Sequence, residues 1–508
     1  MSQINVADLT FGYEGSFDNV FEGVSFSVDT DWKLGLIGRN GKGKTTFFRL
    51  LLGSFPFTGT ITASVPFDYF PYRIGEEQVK MSAWEFMGEL KPGCEEWRVI
   101  CELDKLRGSA ELLYRPFDTL SWGERTKVLL AVLCSGEHDF LLIDEPTNHL
   151  DQKSRQAVKE YLNGKKGFIL VSHDRDLLDA CIDHVLVLNR RSIEVQSGNF
   201  SSWWENKRRR DSFEKAENEK HLRQIASLRK SIELNGRWAR KNENTKIGFD
   251  PVKEPDRATR AYIGAKTKKM EKRVKQYEKR MEREIEAKKD LLLDIEEPVS
   301  LKLNPLSYHK ERLVYMDGVT AGYGQGKEAV LEDFSFELKR GERVFLHGEN
   351  GSGKSTLIKA VLAAAGAGGD RDGEPRVLSG EITVGAGLKI SYVSQATGFL
   401  RGRIQEFCRD RGLDESLFCA LLRQLDMERV QFSKNMEEFS EGQKKKALLA
   451  ASLMTPAHVY IWDEPLNYID VFSRIQIEEL LLSYEPTMIL VDHDIRFQEK
   501  VGTRVEEF

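Results

Sequence analysis

Apolar residues in this chain come in short unbroken runs that end in a glycine cluster or an acid. "KLGLIG" (Lys33–Gly38) predicts a buried strand that empties into a glycine-rich turn, and "KTTFFRLLLG" behind it predicts a helix. "DFLLID" and "HVYIWD" are also buried-strand patterns, ending on Asp144 and Asp463. The arrangement recurs. "LIGRNGKGKTT" (Leu36–Thr46) returns as "LHGENGSGKST" (Leu346–Thr356), and "LLIDEPTNHLD" (Leu141–Asp151) as "YIWDEPLNYID" (Tyr460–Asp470). "LVSHD" ending at Asp174 returns as "LVDHD" ending at Asp494. Repetition at an offset of about 310 to 320 residues is a duplicated domain, because the period is too long for a solenoid. The expectation is an α/β chain with one domain over 1–200 and a second over 301–508.

Between the copies the pattern changes. Leu222, Ile225, Leu228 and Ile232 form one narrow helical stripe, and Met270, Val274, Tyr277, Met281 and Ile285 form another. Stripes that narrow suit two helices zipped along one seam. Gly248, Pro251 and Pro255 break the first helix, so residues 201–300 predict a helical hairpin with a tip loop at about 238–258. About 35 residues per arm at 1.5 Å each reach roughly 50 Å.

Charge sharpens this division. The net charge of −5 hides a middle, Lys207–Asp290, with 27 Lys and Arg against 15 Asp and Glu. The rest of the 508 residues is acidic. With 31% charged residues and a mean hydropathy of −0.44, the chain reads as soluble, and no apolar run of about 18 residues predicts a membrane span. "MSQINVADLTFGYEG" lacks a secretory pattern, and six cysteines without a CxxC spacing argue against a zinc site. The expected location is cytoplasmic.

The repeated turns carry phosphate chemistry. Gly38, Asn40, Gly41, Gly43, Lys44, Thr45 and Thr46 form one P-loop, and Gly348, Asn350, Gly351, Gly353, Lys354, Ser355 and Thr356 form the other. Glycines let the backbone curl its N–H groups toward phosphate, and the following helix adds its positive end. Lys44 and Lys354 are expected to reach the β- and γ-phosphates of ATP, with Thr45 and Ser355 on Mg2+. Asp144 and Asp463, at strand ends, suit a hold on the same Mg2+. The adjacent Glu145 and Glu464 are placed to orient or polarise the attacking water.

"TLSWGE" (Thr119–Glu124) and "EFSEGQ" (Glu438–Gln443) precede these acids. They resemble the signature motif of ABC ATPases, so both halves are identified as ABC-type nucleotide-binding domains. The resemblance implies head-to-tail pairing within one monomer, Lys44 with Ser440 and Lys354 with Ser121. Trp122 and Glu441 replace the first signature glycine, while Ser121, Gly123, Ser440 and Gly442 are retained. His173 and His493 match the family's γ-phosphate histidine, and Tyr13 and Tyr323 match its adenine-stacking aromatic. Gln395 matches the Mg2+-linked glutamine, whereas the first copy has Tyr72 there, which predicts sites of unequal rate.

Near the tip, Arg237, Arg240, Lys241, Lys246, Lys253 and Arg257 are interleaved with Trp238 and Phe249. Cations neutralise phosphate and planar rings stack on splayed bases, so structured RNA is the expected partner. Two ABC domains joined by a long basic hairpin resemble the ABC-F family. "WDEPLNYID" and "AYIGAKTKKMEKR" resemble its antibiotic-resistance branch, the Lsa/Vga type of ribosome protection. That resemblance implies a ribosome-associated protein that enters the tRNA exit site with ATP bound. Its linker tip would reach large-subunit ribosomal RNA at the peptidyl-transferase centre and displace the P-site tRNA. Lincosamides, pleuromutilins or streptogramin A would then leave, and hydrolysis would release the protein. The family's arm insertion would fall at about 80–115. The alternatives are an ABC-F translation factor without a resistance role, and a tandem ATPase subunit of a membrane importer.

Overall fold

A computed structural model describes residues 2–13, 19–38, 43–136, 139–148, 150–188, 192–244, 272, 275–276, 279–280, 302–323, 329–349, 351–366, 375–425, 427 and 429–508. In the first half, Lys33–Ile37 lies inside a six-stranded sheet. The order is Phe67–Phe70, Phe140–Asp144, Phe168–Val171, Lys33–Ile37, His184–Leu188, Ile193–Ser197. All pairs are parallel except the last. Its central strands are buried on both faces, which is why they read as unbroken apolar runs. An antiparallel sheet of Phe21–Asp29, Gln3–Phe11 and Thr58–Ala63 completes this half.

The second half repeats the plan. A parallel sheet runs Ile390–Val393, Val459–Asp463, Met488–Val491, Arg343–His347, Arg504–Glu507. An antiparallel sheet of Ala329–Lys339, Arg312–Gly322 and Arg376–Val384 accompanies it. Trp462 and Tyr460, both fully buried, fill the space between strand Val459–Asp463 and helix Glu441–Met454, where the indole N–H donates to Ser452 Oγ at 2.9 Å. A buried Trp is tolerated because its one donor is satisfied.

Residues 80–115 fold as helices Ala83–Leu90 and Glu96–Lys105. Helices Ile404–Asp410 and Glu415–Gln424 occupy the same place in the second half, between the Gln/Tyr-bearing strand and the signature helix. Both halves thus carry a helical pair at this point of the chain, and the arm expected at about 80–115 falls on the pair of the first half.

The two halves form one compact unit, Met1–Trp203 with Val299–Phe508, and Trp204–Pro298 forms a second. Helix Phe200–Asn244 runs 45 residues without a break, longer than the expected arm. Its exposed face carries Glu–Arg pairs one turn apart, Glu205–Arg209 and Glu219–Arg223. Ile225 of the predicted stripe is buried, Leu228 half-buried and Leu222 53% exposed. Met270, Val274, Tyr277, Met281, Ile285 and the loop 245–258 lie outside the described residues. Among the described residues no helix is long and apolar enough to cross a membrane.

Candidate functional site

Each P-loop delivers its chain into a helix through a left-handed glycine. Gly43 (φ 93°) and Gly353 (φ 103°) cap helices Lys44–Leu51 and Lys354–Ala364. A Cβ on Gly43 would also meet Val20 at 2.5 Å, so both conformation and space require glycine there. Lys44 Nζ donates to the Gly38 carbonyl at 2.6 Å. Lys354 Nζ donates to the Gly348 and Glu349 carbonyls at 2.9 and 2.7 Å, folded back along its own loop. Burial lowers the Lys354 ammonium from its ordinary range. Asn40, Gly41 and Asn350 lie outside the described residues.

Hydroxyls and carboxylates meet at the strand ends. Thr45 Oγ1 donates to Asp144 Oδ2 at 3.0 Å, and Ser355 Oγ donates to Asp463 Oδ2 at 3.3 Å. An alcohol beside one carboxylate is a hard oxygen donor set that fits Mg2+ shared with phosphates. Burial raises both carboxyls, Asp463 to about 6, with the charge of Glu464 adding to the push.

Glu145 (φ 52°) and Glu464 (φ 49°) sit in the left-handed region, rare for a side chain of this kind. Their N–H groups donate to Val171 and Val491 at 2.9 Å, so the sheet itself holds the two turns. Burial pushes the Glu145 carboxyl up to about 8, and the Asp144 charge adds to it. Its Oε1 lies 3.3 Å from His173 Nε2 and accepts no hydrogen bond among the described residues. His493 Nε2 lies 3.9 Å from Glu464 Oε1. Burial first, then nearby cations, drives His173 well below its ordinary range and His493 to about 4, so both imidazoles are neutral.

Tyr13 and Tyr323 stand beside their P-loop helices, hydroxyl to hydroxyl with Thr46 at 2.7 Å and Thr356 at 3.3 Å. Both rings remain partly exposed. Ser121 and Ser440 cap the signature helices Trp122–Leu133 and Glu441–Met454, each accepting from a backbone N–H at 3.3 Å. Gly123 and Gly442 pack so closely on Ser154 and Tyr468 that a Cβ would approach them to 2.8 and 2.9 Å.

The halves share a cavity of about 500 Å3 lined by Lys354, Ser355, Gln395, Glu464 and His493 from the second half. Trp122 and Arg155 of the first half line it too. Trp122 follows Ser121 directly, so the first signature faces the second P-loop.

The pairing Phe67↔Phe140 and Ile390↔Val459 puts Tyr72 level with Gln395. Tyr72 turns away from Asp144, however, and its hydroxyl donates to Asp68 at 2.7 Å within a network with Lys91 and Asp139. Tyr69, level with Tyr392, meets that carboxylate, donating to Asp144 Oδ2 at 3.2 Å. Sequence reasoning missed Tyr69, although the recurrence of Tyr392 in "ISYV" was a signal. Arg155 and Arg474 were missed as well, each four residues after the aspartate that ends "NHLD" or "NYID".

Of the proposed RNA-contacting residues, Arg237, Trp238, Arg240 and Lys241 belong to helix Phe200–Asn244, with side chains outside the described set. Lys246, Phe249, Lys253 and Arg257 lie outside it altogether.

A profile of the ABC transporter family matches residues 21–148 and 331–467, more than half of the chain. Among curated proteins, the Ribosome protection protein VmlR of Bacillus subtilis is 28% identical, over 96% of this chain and 84% of that protein. The Energy-dependent translational throttle protein EttA of Mycobacterium tuberculosis is 27% identical, over 96% and 88%. Among solved structures, an archaeal ribosome recycling factor in complex with a ribosomal stalk protein superposes with a TM-score of 0.60. It shares 18% identity over 98% of this chain and 87% of that one, a likeness of fold.

Proposed function

The chain is an ATPase of the ABC transporter family, and from that premise we propose that it is an ABC-F protein that acts on the ribosome as a protection factor. ATP binds at two composite sites, Lys354 with Ser121 and Lys44 with Ser440. Tyr13 and Tyr323 stack on adenine, and the P-loop glycines cradle phosphate. Thr45 with Asp144, and Ser355 with Asp463 and Gln395, would hold Mg2+, which supplies charge neutralisation at the β- and γ-phosphates. Glu145 and Glu464 orient the attacking water, and neutral His173 and His493 hydrogen-bond the γ-phosphate without adding charge.

The observation that carries the reading is the cavity that joins Trp122 to Lys354, Glu464 and His493. A nucleotide there touches both halves, so binding closes them and hydrolysis loosens them. The basic middle, Lys207–Asp290, and the relatives named for ribosome protection and translational control support the ribosome as the target. On this reading the protein enters the exit site. The tip, with Trp238 and Phe249, then acts on ribosomal RNA and P-site tRNA so that bound antibiotic leaves.

The test is Glu145→Gln with Glu464→Gln. The double variant should bind ATP, fail to hydrolyse it and accumulate on sedimented ribosomes in ATP. Failure to accumulate overturns the ribosome reading. An ABC-F translation factor without a resistance role is favoured by the likeness to EttA. A deletion strain with unchanged susceptibility to lincosamides, pleuromutilins and streptogramin A would select that alternative.

A further inference from the structure

The interface between the halves is built differently at its two ends. Near the Lys44 site, Arg175 of the first half is buried between Glu478 and Asp494 of the second. Its Nη1 donates to Glu478 Oε2 at 3.2 Å. Asp494 also accepts from Arg474 at 3.3 Å. The Arg474 guanidinium is used on every side, because it also donates to the Ile469 and Leu466 carbonyls at 3.0 and 2.9 Å.

At the other end each of these residues has a counterpart. Arg155 matches Arg474, Asp174 matches Asp494, Ile495 matches Arg175, and Lys159 matches Glu478. Ile495 and Lys159 cannot build the ion cluster. The two line a cavity of about 670 Å3 in its place, with Arg155 and His493 on its wall. Arg155 keeps one backbone bond, to the Leu150 carbonyl at 2.9 Å, and stands 3.7 Å from Asp174. The same side chain also lines the neighbouring cavity that holds Lys354, Glu464 and His493.

We propose that Arg155 is a catalytic residue supplied in trans, contacting the γ-phosphate of ATP at the Lys354 site, whereas Arg474 is immobilised as a structural group. The argument rests on the reading that the Lys354 site hydrolyses ATP. A guanidinium has five donors, and among the described residues neither Nη of Arg155 makes a hydrogen bond, Nη1 having only the 3.7 Å ion pair with Asp174 to give up. The adjoining cavity leaves it room to advance as the halves close. Arg474 would have to abandon Asp494 and two carbonyls to make the same move, and would leave buried groups unpaired.

The test uses the full chain with Glu145→Gln as parent, so that only the Lys354 site turns over. Arg155→Ala should lower kcat by about 10³-fold or more, the scale of an arginine supplied in trans. Affinity for a non-hydrolysable ATP analogue should fall while affinity for ADP stays unchanged, because ADP lacks the group contacted. Arg155→Lys should recover part of the loss. Ile495→Arg with Lys159→Glu, which rebuilds the ion cluster around Arg155, should lower kcat without lowering the melting temperature. A kcat within twofold of the parent in Arg155→Ala overturns the proposal, as does an equal fall in ADP and analogue affinity. If Arg155→Ala does not fold, unchanged kcat in both Arg155→Lys and the rebuilt cluster overturns it. Should the parent hydrolyse no faster than Glu145→Gln with Glu464→Gln, the reading of the Lys354 site fails and the proposal falls with it.

Discussion

The Lys44 and Lys354 sites share their phosphate-handling skeleton and differ one step away from it. Both have a left-handed glycine before the lysine, an alcohol on a strand-end aspartate, and a glutamate in a left-handed turn beside a neutral histidine. Around the Lys44 site, Tyr69 donates to Asp144, Tyr72 stands at the glutamine position, and a buried Arg–Glu–Asp cluster joins the halves. Around the Lys354 site, Gln395 is retained and the equivalent of that cluster is open space. Duplication preserved what phosphate chemistry demands, and the second layer of side chains differs, with a buried ion cluster at one end and a cavity at the other.

The comparison breaks first, if it breaks, on hydrolysis. Removing the water-orienting carboxylate should lower turnover at its own site by about 10²- to 10⁴-fold. Total ATPase should therefore fall further with Glu464→Gln, which leaves only the site with Tyr72, than with Glu145→Gln. Equal losses, or the reverse order in steady-state assays, would show that Tyr72 is harmless.

Next in size is the ion cluster itself. Arg175→Ala leaves Glu478, which has no exposed surface, with Lys500 at 3.0 Å as its remaining cation among the described residues, and should cost about 1–3 kcal/mol in denaturant unfolding. Ile495→Ala at the open end, where the side chain is already 38% exposed, should cost no more than about 1 kcal/mol. Similar losses would mean that both ends carry equal load.

A smaller effect follows from Glu145, held at about 8 by burial and by Asp144. As a base it acts ionised, so turnover of the Glu464→Gln variant should climb with pH up to about 8 and then level. The stability consequence has a definite sign. Between the ordinary carboxyl range and about 8 the unfolded chain has released this proton and the folded chain has not, so stability falls as pH rises. Glu145→Gln removes that slope, and its melting temperature should gain on the parent's between pH 6 and pH 8. A constant difference would place the proton elsewhere.

The mildest change sharpens the contrast at Mg2+. Tyr69→Phe deletes one donor to Asp144, worth about 1 kcal/mol, and should alter the Mg2+ requirement of the Lys44 site severalfold. Tyr392→Phe should leave the Lys354 site unchanged, and an equal shift from both would erase the distinction.

Much of this was legible in advance. Unbroken apolar runs announced strands buried on both faces, as in Phe140–Asp144 and Val459–Asp463, and the glycine spacing announced the P-loops. Gly43 is readable because only glycine meets its backbone angle and its crowding by Val20. For the segment 80–115 the sequence offers less, because amphipathic helices in a shared layer look the same on paper as helices added to one copy. Leu222 is 53% exposed while Ile225 is buried, since helical spacing gives a stripe and not what covers each member of it.

The sequence by itself determined the duplicated α/β plan and the side chains that handle phosphate, because those depend on periodicity and on backbone angles that few residues tolerate. Only the tertiary structure decided which carboxylate Tyr69 or Tyr72 would meet, and that Arg175 would find Glu478 some 300 positions away. Hydrogen bonds and ion pairs act over a few ångströms, so partners distant in sequence become partners only once the strands and helices between them have packed.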